Sequence, residues 1–372
     1  MEKIINQFKI ENPRENLLIS VALLTCLGLL MVYTSSSIPA YQKFGDSLLF
    51  FKKQCLVSII GAGLVWFILW LPFRWLQAST LPLLVCSVIL LGAIFIPSLQ
   101  HKANGAARWI QVYGLTFQPA ELAKLALIMF FARNLGRKNF QVHSFWRGIA
   151  PNLIVFFVFA TLLMLQPDFG STTVLFVLTF TMLFTAGLPT KFIIGAIFLG
   201  TAGLSAAIYQ APYRMKRLVT FLDPWAQASE GGFQIIQSYL GFQSGGLLGL
   251  GLGESRQKLY FLPEAHTDFI LSVIGEELGL IGVLLIVAIF AYITVLGFQI
   301  TAKQEDSYRK FLGFGLTCLI AMQACLNIGV AMGVLPTKGM PLPFVSSGSS
   351  SLIIFLVVTA ILAKLGESMT ET

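Results

Sequence analysis

Residues 262–300 read LPEAHTDFILSVIGEELGLIGVLLIVAIFAYITVLGFQI. The first part of this stretch carries Glu264, His266, Asp268, Glu276 and Glu277, in a chain that is only 11% charged. The part from Leu278 to Ile300 is apolar and long enough to cross a bilayer, which takes about 20 mostly apolar residues. A carboxylate near the bilayer centre costs roughly 3 kcal/mol on insertion scales, so a cluster at the mouth of such a helix calls for a reason. One stretch therefore supplies both a membrane span and a candidate site.

The composition agrees with the span. The 372 residues are 56% hydrophobic, with a mean hydropathy of +0.79. Soluble domains average about 45–50% apolar and about 25% charged residues. The class is a polytopic, all-α membrane protein. The five cysteines fall inside apolar runs without metal-type spacing, which argues against a disulfide framework or a zinc site. A net charge of +8 would point a soluble protein towards nucleic acid. Here it points instead to basic loops facing anionic membrane lipids.

Outward from the opening stretch, ten spans are expected. They run near Leu17–Ile38, Gln54–Leu71, Thr80–Pro97, Pro119–Leu135, Ile149–Gln166, Thr172–Leu188, Phe192–Tyr209, Phe269–Ile300, Phe311–Val334 and Ser350–Lys364. No soluble domain interrupts them, so residues 1–372 read as one transmembrane domain with a long loop, about 210–266, between spans seven and eight. An even number of spans puts both termini on one side. The basic knots Arg133–Arg147 and Lys303–Lys310 place that side in the cytoplasm. The unusual sequence then gathers on the outer face: His101–Gln118, Gln166–Gly170, the long loop, and Leu335–Ser349.

A helix from Phe269 to Ile300 would be about 48 Å long against about 30 Å of hydrocarbon. Its first turns must stand outside the apolar slab, tilt, or break near Gly275, Gly279 and Gly282. Asp268, Ser272 and Glu276 are spaced to share one helical face. Spacing alone leaves Asp268 open between a helix cap and a catalytic carboxylate. The run 104–124, NGAARWIQVYGLTFQPAELAK, offers Arg108 and Lys124 as cations for a diphosphate. The bland alternative for Lys124 is an intrahelical pair with Glu121. Asp168 in QPDFGST reads as a cap of the next helix. Tyr213–Arg217, YRMKR, suits an anionic lipid head or a solvated surface equally. The run 241–253, GFQSGGLLGLGLG, lets backbone turn tightly or approach a neighbour closely, and carries no nucleotide fingerprint.

Taken in order, GLLMVYTSSS at 28–37, NGAARWI at 104–110, QPAELAK at 118–124 and QPDFGS at 166–171 resemble the SEDS family, named for shape, elongation, division and sporulation. The resemblance continues through FLDPW at 221–225, SRQKLYFLPEAHTDF at 255–269, GEELG at 275–279, NIGV at 327–330 and LPTKGMPLPF at 335–344. FLDPW, SRQK and GEE are more like the family's division branch than its elongation branch. The family's SYGGSS is SSGSSS here, with Ser347 in place of the tyrosine and Ser349 in place of a glycine.

That resemblance implies a peptidoglycan glycosyltransferase of the bacterial inner membrane, polymerising lipid II at the septum and releasing undecaprenyl diphosphate. It implies Asp268 as the essential carboxylate and Arg108 and Lys124 as functional cations. Arg214, Arg217 and Lys338 join them as candidate diphosphate ligands, with Glu121, Glu264, His266, Glu276 and Glu277 as supports. A class B penicillin-binding transpeptidase and other divisome proteins are the implied partners. No tightly bound cofactor is expected, although Asp268 and Glu264 would suit a divalent Mg or Mn ion. A lipid II transporter or a non-catalytic scaffold are the rival readings. A transporter would concentrate its charges near the bilayer midplane in broken helices.

Overall fold

The computed structural model describes residues 11–103, 106–112, 115–138, 140, 144–209, 212–228, 232–258 and 265–367. Each of the ten expected spans is a helix. They are α1 (Pro13–Phe44), α2 (Leu49–Trp70), α4 (Thr80–Ala93), α5 (Pro119–Leu135) and α6 (Ala150–Leu165), then α7 (Phe169–Thr185) and α8 (Thr190–Tyr209), and finally α11 (Ile270–Ala302), α12 (Ser307–Ala331) and α13 (Ser349–Glu367). Three further α-helices are α3 (Phe73–Ala78), α9 (Pro212–Leu222) and α10 (Gly232–Gly245), and a π-helical turn, Phe145–Ile149, leads into α6. Six helices are long and apolar enough to cross a membrane, and shorter apolar helices accompany them. The chain is a multi-pass membrane protein.

Burial sorts these helices into a centre and a rim. α5 and α13 are central: from Ala120 to Leu135 and from Ser350 to Gly366 most side chains are shielded by other helices. Alanines 120, 123, 126 and 132 on α5 keep that helix thin enough for neighbours to close over it. α2 is peripheral, with Ile59, Trp66 and Trp70 each 70% exposed or more. An apolar face left open in this way is what a lipid-facing helix presents. The start of α1 and the end of α13 meet at one end of the bundle. Arg14 at the start of α1 pairs with Glu367 at the end of α13 at 3.5 Å. Nearby, Lys364 donates to the Leu69 carbonyl, one of the acceptors left open at the end of α2.

Of the three outcomes open to the long eighth span, a break is the one that occurs, at Gly279, whose φ is 67° and ψ −165°. A broken helix frees backbone groups that hydrocarbon cannot satisfy. The glycine-rich run supplies the partners. Leu250 and Gly251 donate to the carbonyls of Glu276 and Glu277 at 2.9 and 3.0 Å. Leu280 and Ile281 donate to those of Gly246 and Leu247 at 2.9 and 3.3 Å. The approach is so close that a Cβ on Gly249, itself at φ +80°, would stand 2.2 Å from the Glu277 carbonyl oxygen. These glycines serve a neighbour rather than a ligand.

One expectation needs correction, and two gain detail. The helix begins at Ile270, so Asp268 precedes it and shares no helical face with Ser272 and Glu276. The long connection between spans seven and eight holds two helices, α9 and α10, and α10 packs along the first half of α11, with Ser238 and Ser272 joined through their hydroxyls. The helical fold also carries a small antiparallel sheet, β1 (Gln100–Ala103), β2 (Ala106–Val112) and β3 (Leu115–Phe117). Ala103 faces Ala106, and Ile110 faces Phe117. The Asn104-Gly105 turn signal between the first two strands is on the page in the sequence, although those two residues lie outside the described ones. Trp109, Ile110 and Val112 in β2 are residue types that favour strands.

Candidate active site

Away from the Arg14–Glu367 end, residues 265–269 form a turn leading into α11. Ala265 and Phe269 are buried anchors, at 5% and 2% exposure, while His266, Thr267 and Asp268 between them are half-buried. The loop 332–348 straps this turn down. The Ser347 amide donates to the His266 carbonyl at 2.9 Å, and the Ser346 hydroxyl donates to that of Thr267 at 2.6 Å. Ser346 Oγ in turn accepts from the Leu342 amide at 2.9 Å. Asn327 Nδ2, from α12, donates to the carbonyls of Asp268 and Met340 at 3.0 and 2.8 Å. The His266 ring lies 4.8 Å from that of Phe50. Every main-chain carbonyl from His266 to Asp268 is held.

The Asp268 carboxylate faces the same loop, since a Cβ placed on Gly339 would meet its Oδ2 at 3.5 Å. The capping position of α11 belongs to Phe269, one residue on. Beside Gly339, Lys338 is half-buried, and desolvation pulls its ammonium pKa below the ordinary lysine range. The substitution of Ser347 for the family's tyrosine leaves the strap intact, because the backbone amide makes the bond.

Arg108 enters from β2. Its guanidinium Nη2 donates to the Pro167 carbonyl, and its Nε is buried without a partner. Asp168, next in the chain, caps α7 as expected, accepting from the Ser171 amide at 3.1 Å. The end of the sheet is stitched to the start of α13, with the Gln118 amide donating to Ser350 Oγ at 2.9 Å. Gly170 lies against Met340. The sheet, the QPDFGS turn, the 332–348 loop and the start of α13 therefore converge on one region.

Lys124 is placed differently from a free cation. It is fully buried, with Nζ 2.8 Å from Glu121 Oε1 and 2.6 Å from Gln323 Oε1, above the Phe355 ring at 6.0 Å. The intrahelical pair is thus formed, and the amide of Gln323 links it to the Pro341 carbonyl at 3.4 Å. Glu276 and Glu277 are buried supports. Glu276 accepts from the Ser255 and Ser244 hydroxyls and from the amides of Arg256 and Gln257, the last two at 3.1 and 3.2 Å. Glu277 pairs with Lys258 at 3.1 Å. Together they fix the SRQK segment. Arg217 is exposed on α9. Arg214 belongs to the same helix, its side chain outside the described ones, and Glu264 lies outside the described residues altogether.

Gln323, Asn327 and Ser346 escaped the reading of the sequence. Two amides four residues apart inside the apolar run 311–334 are the signal that could have found Gln323 and Asn327, because polar groups within a span are costly unless used.

Fold and site together define a polytopic membrane protein with a half-buried carboxylate and cations gathered where several loops meet. The family model described as cell cycle protein, covering FtsW, RodA and SpoVE, matches residues 14–371. The chain belongs to that family. It is 41% identical to the probable peptidoglycan glycosyltransferase FtsW of Geobacter metallireducens, over 99% of this chain and 98% of that protein. It is 39% identical to the stage V sporulation protein E of Bacillus subtilis, over 94% of this chain and 96% of that protein. Among solved structures, a chain described under structural coordination of polymerization and crosslinking by a peptidoglycan synthase complex superposes with a TM-score of 0.79. It shares 25% identity and covers 96% of this chain and 98% of its own length. The Thermus thermophilus rod shape determining protein RodA shares the fold, at 24% identity and a TM-score of 0.70 over 95% of this chain and 96% of its own.

Proposed function

We propose that the chain is a peptidoglycan glycosyltransferase that polymerises lipid II at the outer face of the bacterial cytoplasmic membrane during division. The observation that carries this reading is Asp268, half-buried against Gly339 on a turn whose carbonyls are all held. A carboxylate so fixed suits a general base, which must meet its proton within about 2.6–3.2 Å. Asp268 takes the proton of the acceptor sugar's 4-hydroxyl, whose oxygen attacks the donor's anomeric carbon with inversion. The new glycosidic bond forms as the bond to undecaprenyl diphosphate breaks, and the diphosphate leaves with its electron pair. Arg108 and Lys338, with Arg214 and Arg217 from α9, stabilise that charge. The unpartnered Nε of Arg108 supports this role. Lys124 acts through its pair with Glu121, one step behind the site.

A divalent Mg or Mn ion shared by Asp268 and Glu264 would help carry the leaving charge. Among the described residues no three metal-binding side chains gather, so phosphate oxygens would complete such a site. Chelation followed by Mg readdition tests this. The likeness to a chain of a peptidoglycan synthase complex supports a crosslinking partner, a class B penicillin-binding transpeptidase. Both termini lie in the cytoplasm and the protein works at the septum. The meeting of basic Arg14 and Lys364 at the Glu367 end supports that orientation.

The decisive experiment supplies labelled lipid II to the purified chain, with and without a class B transpeptidase. Asp268→Ala abolishes glycan-strand formation; polymerisation at the wild-type rate would show that Asp268 is not the base. The break in α11 also favours a second reading, lipid II transport, since transporters build their sites at such breaks. Here the carboxylates beside the break are engaged by Ser255, Arg256, Gln257 and Lys258. Flipping of lipid II in liposomes that is unaffected by Asp268→Ala would revive transport.

A further inference from the structure

Asn327 sits in an apolar span, 2% exposed, one helical turn from Gln323. Its Nδ2 donates to two carbonyls that are far apart in the chain, Asp268 O at 3.0 Å and Met340 O at 2.8 Å. Its own Oδ1 is buried without a partner. A buried amide that leaves one end unsatisfied is uncommon and asks what its other end achieves. Here the donor end ties the main chain of Asp268 to the loop that carries Lys338 and Gly339, the loop its carboxylate faces. Ser346 and Ser347 hold the two residues before Asp268, but the carbonyl of Asp268 itself rests on Asn327.

We propose that Asn327 is a positioning residue for the Asp268 carboxylate. It fixes the carboxylate's height and direction relative to the cationic loop without touching substrate. The inference rests on the reading of Asp268 as the base. A base displaced by about 1 Å can lose about 100-fold in rate, while substrate that is bound by other groups keeps its affinity. α12 thereby acts on both halves of the site: Gln323 receives Lys124, and Asn327 receives the Asp268 segment.

The test measures kcat and KM for lipid II on the purified full chain. Asn327→Leu keeps the bulk and removes both hydrogen bonds, and its kcat falls by about 10–100-fold with KM held within about twofold. Asn327→Ser keeps one donor on a shorter arm and loses less. Asn134→Leu is the control: Asn134 is also a buried amide, bonded to Asn152 at 3.1 Å on the α5–α6 contact, and its loss leaves kcat within about twofold. Wild-type kcat in Asn327→Leu, a loss confined to KM, or an equal loss in Asn134→Leu overturns the proposal. So does an Asn327→Leu variant that fails to fold beside an Asn327→Ser variant with wild-type kcat. If Asp268→Ala still polymerises, the base reading falls and takes this one with it. If Asp268→Ala is dead and Asn327→Leu is fully active, only the positioning role falls.

Discussion

Lys338 and Lys124 are both cations near the site, yet burial treats them differently. Burial strips water from Lys338, so its ammonium gives up its proton below the ordinary lysine value of about 10.4. Its hold on a diphosphate weakens as pH rises through that lowered value, so KM for lipid II climbs on the alkaline side. In Lys338→Arg the guanidinium stays charged and the alkaline rise in KM vanishes. Stability moves the other way. The folded chain binds fewer protons than the unfolded one between the lowered and ordinary pKa values, so stability rises with pH across that window. Lys124 instead shares a sealed pocket with Glu121. Lys124→Met strands a buried carboxylate and destabilises the chain by about 3–5 kcal/mol, whereas adding Glu121→Leu restores most of it. Melting curves in detergent check the stability, and polymerisation by the double variant separates the roles. Activity that returns with stability marks the pair as structural; activity that stays lost marks Lys124 as part of the machinery.

At the scale of elements, glycine placement decides what α11 can do. Gly249→Ala forces a side chain onto left-handed backbone, about 1–2 kcal/mol by itself, and drives it into the Glu277 carbonyl. Gly63→Ala in α2 meets open space and gains helix propensity of about 0.5–1 kcal/mol. The same substitution therefore changes Tm in opposite directions at the two positions; two equal shifts would contradict the docked break. That the helix must break, tilt or overshoot was legible, because the 32 residues from Phe269 to Ile300, with four glycines, exceed the bilayer. What fills the break was not. Pairing between residues 246–251 and 276–281 is a main-chain matter that leaves no side-chain pattern. The sheet was missed for a related reason: its strands are three to seven residues long, and short runs in an aromatic-rich loop resemble membrane-interface anchors.

For the molecule as a whole, hydropathy located the ten helices expected as spans, since lipid permits few alternatives to an apolar helix. The site was half legible. Charges out of place in an apolar chain drew attention to Asp268, Arg108 and Lys124, but the groups that hold them are neutral amides and hydroxyls such as Asn327 and Ser346. The fold also makes a statement about sides. α1 runs 32 residues, about 48 Å, from Arg14's end to the Asp46 turn. A membrane-impermeant maleimide applied to spheroplasts labels Asp46→Cys and leaves Glu367→Cys untouched; the reverse result inverts the proposed topology.

The docked break also has a consequence for how the chain is made. Synthesis delivers residues 246–251 before the helix they complete, so this segment waits at the membrane with its amides open until residues 276–281 arrive. The halves of α11 then reach their final shape in a single step with the segment, as a zip closes only when both sides are present. The amides of Leu250, Gly251, Leu280 and Ile281 should accordingly exchange with deuterium together, at one rate. Independent rates would mean that the eighth span matures without its earlier-made half.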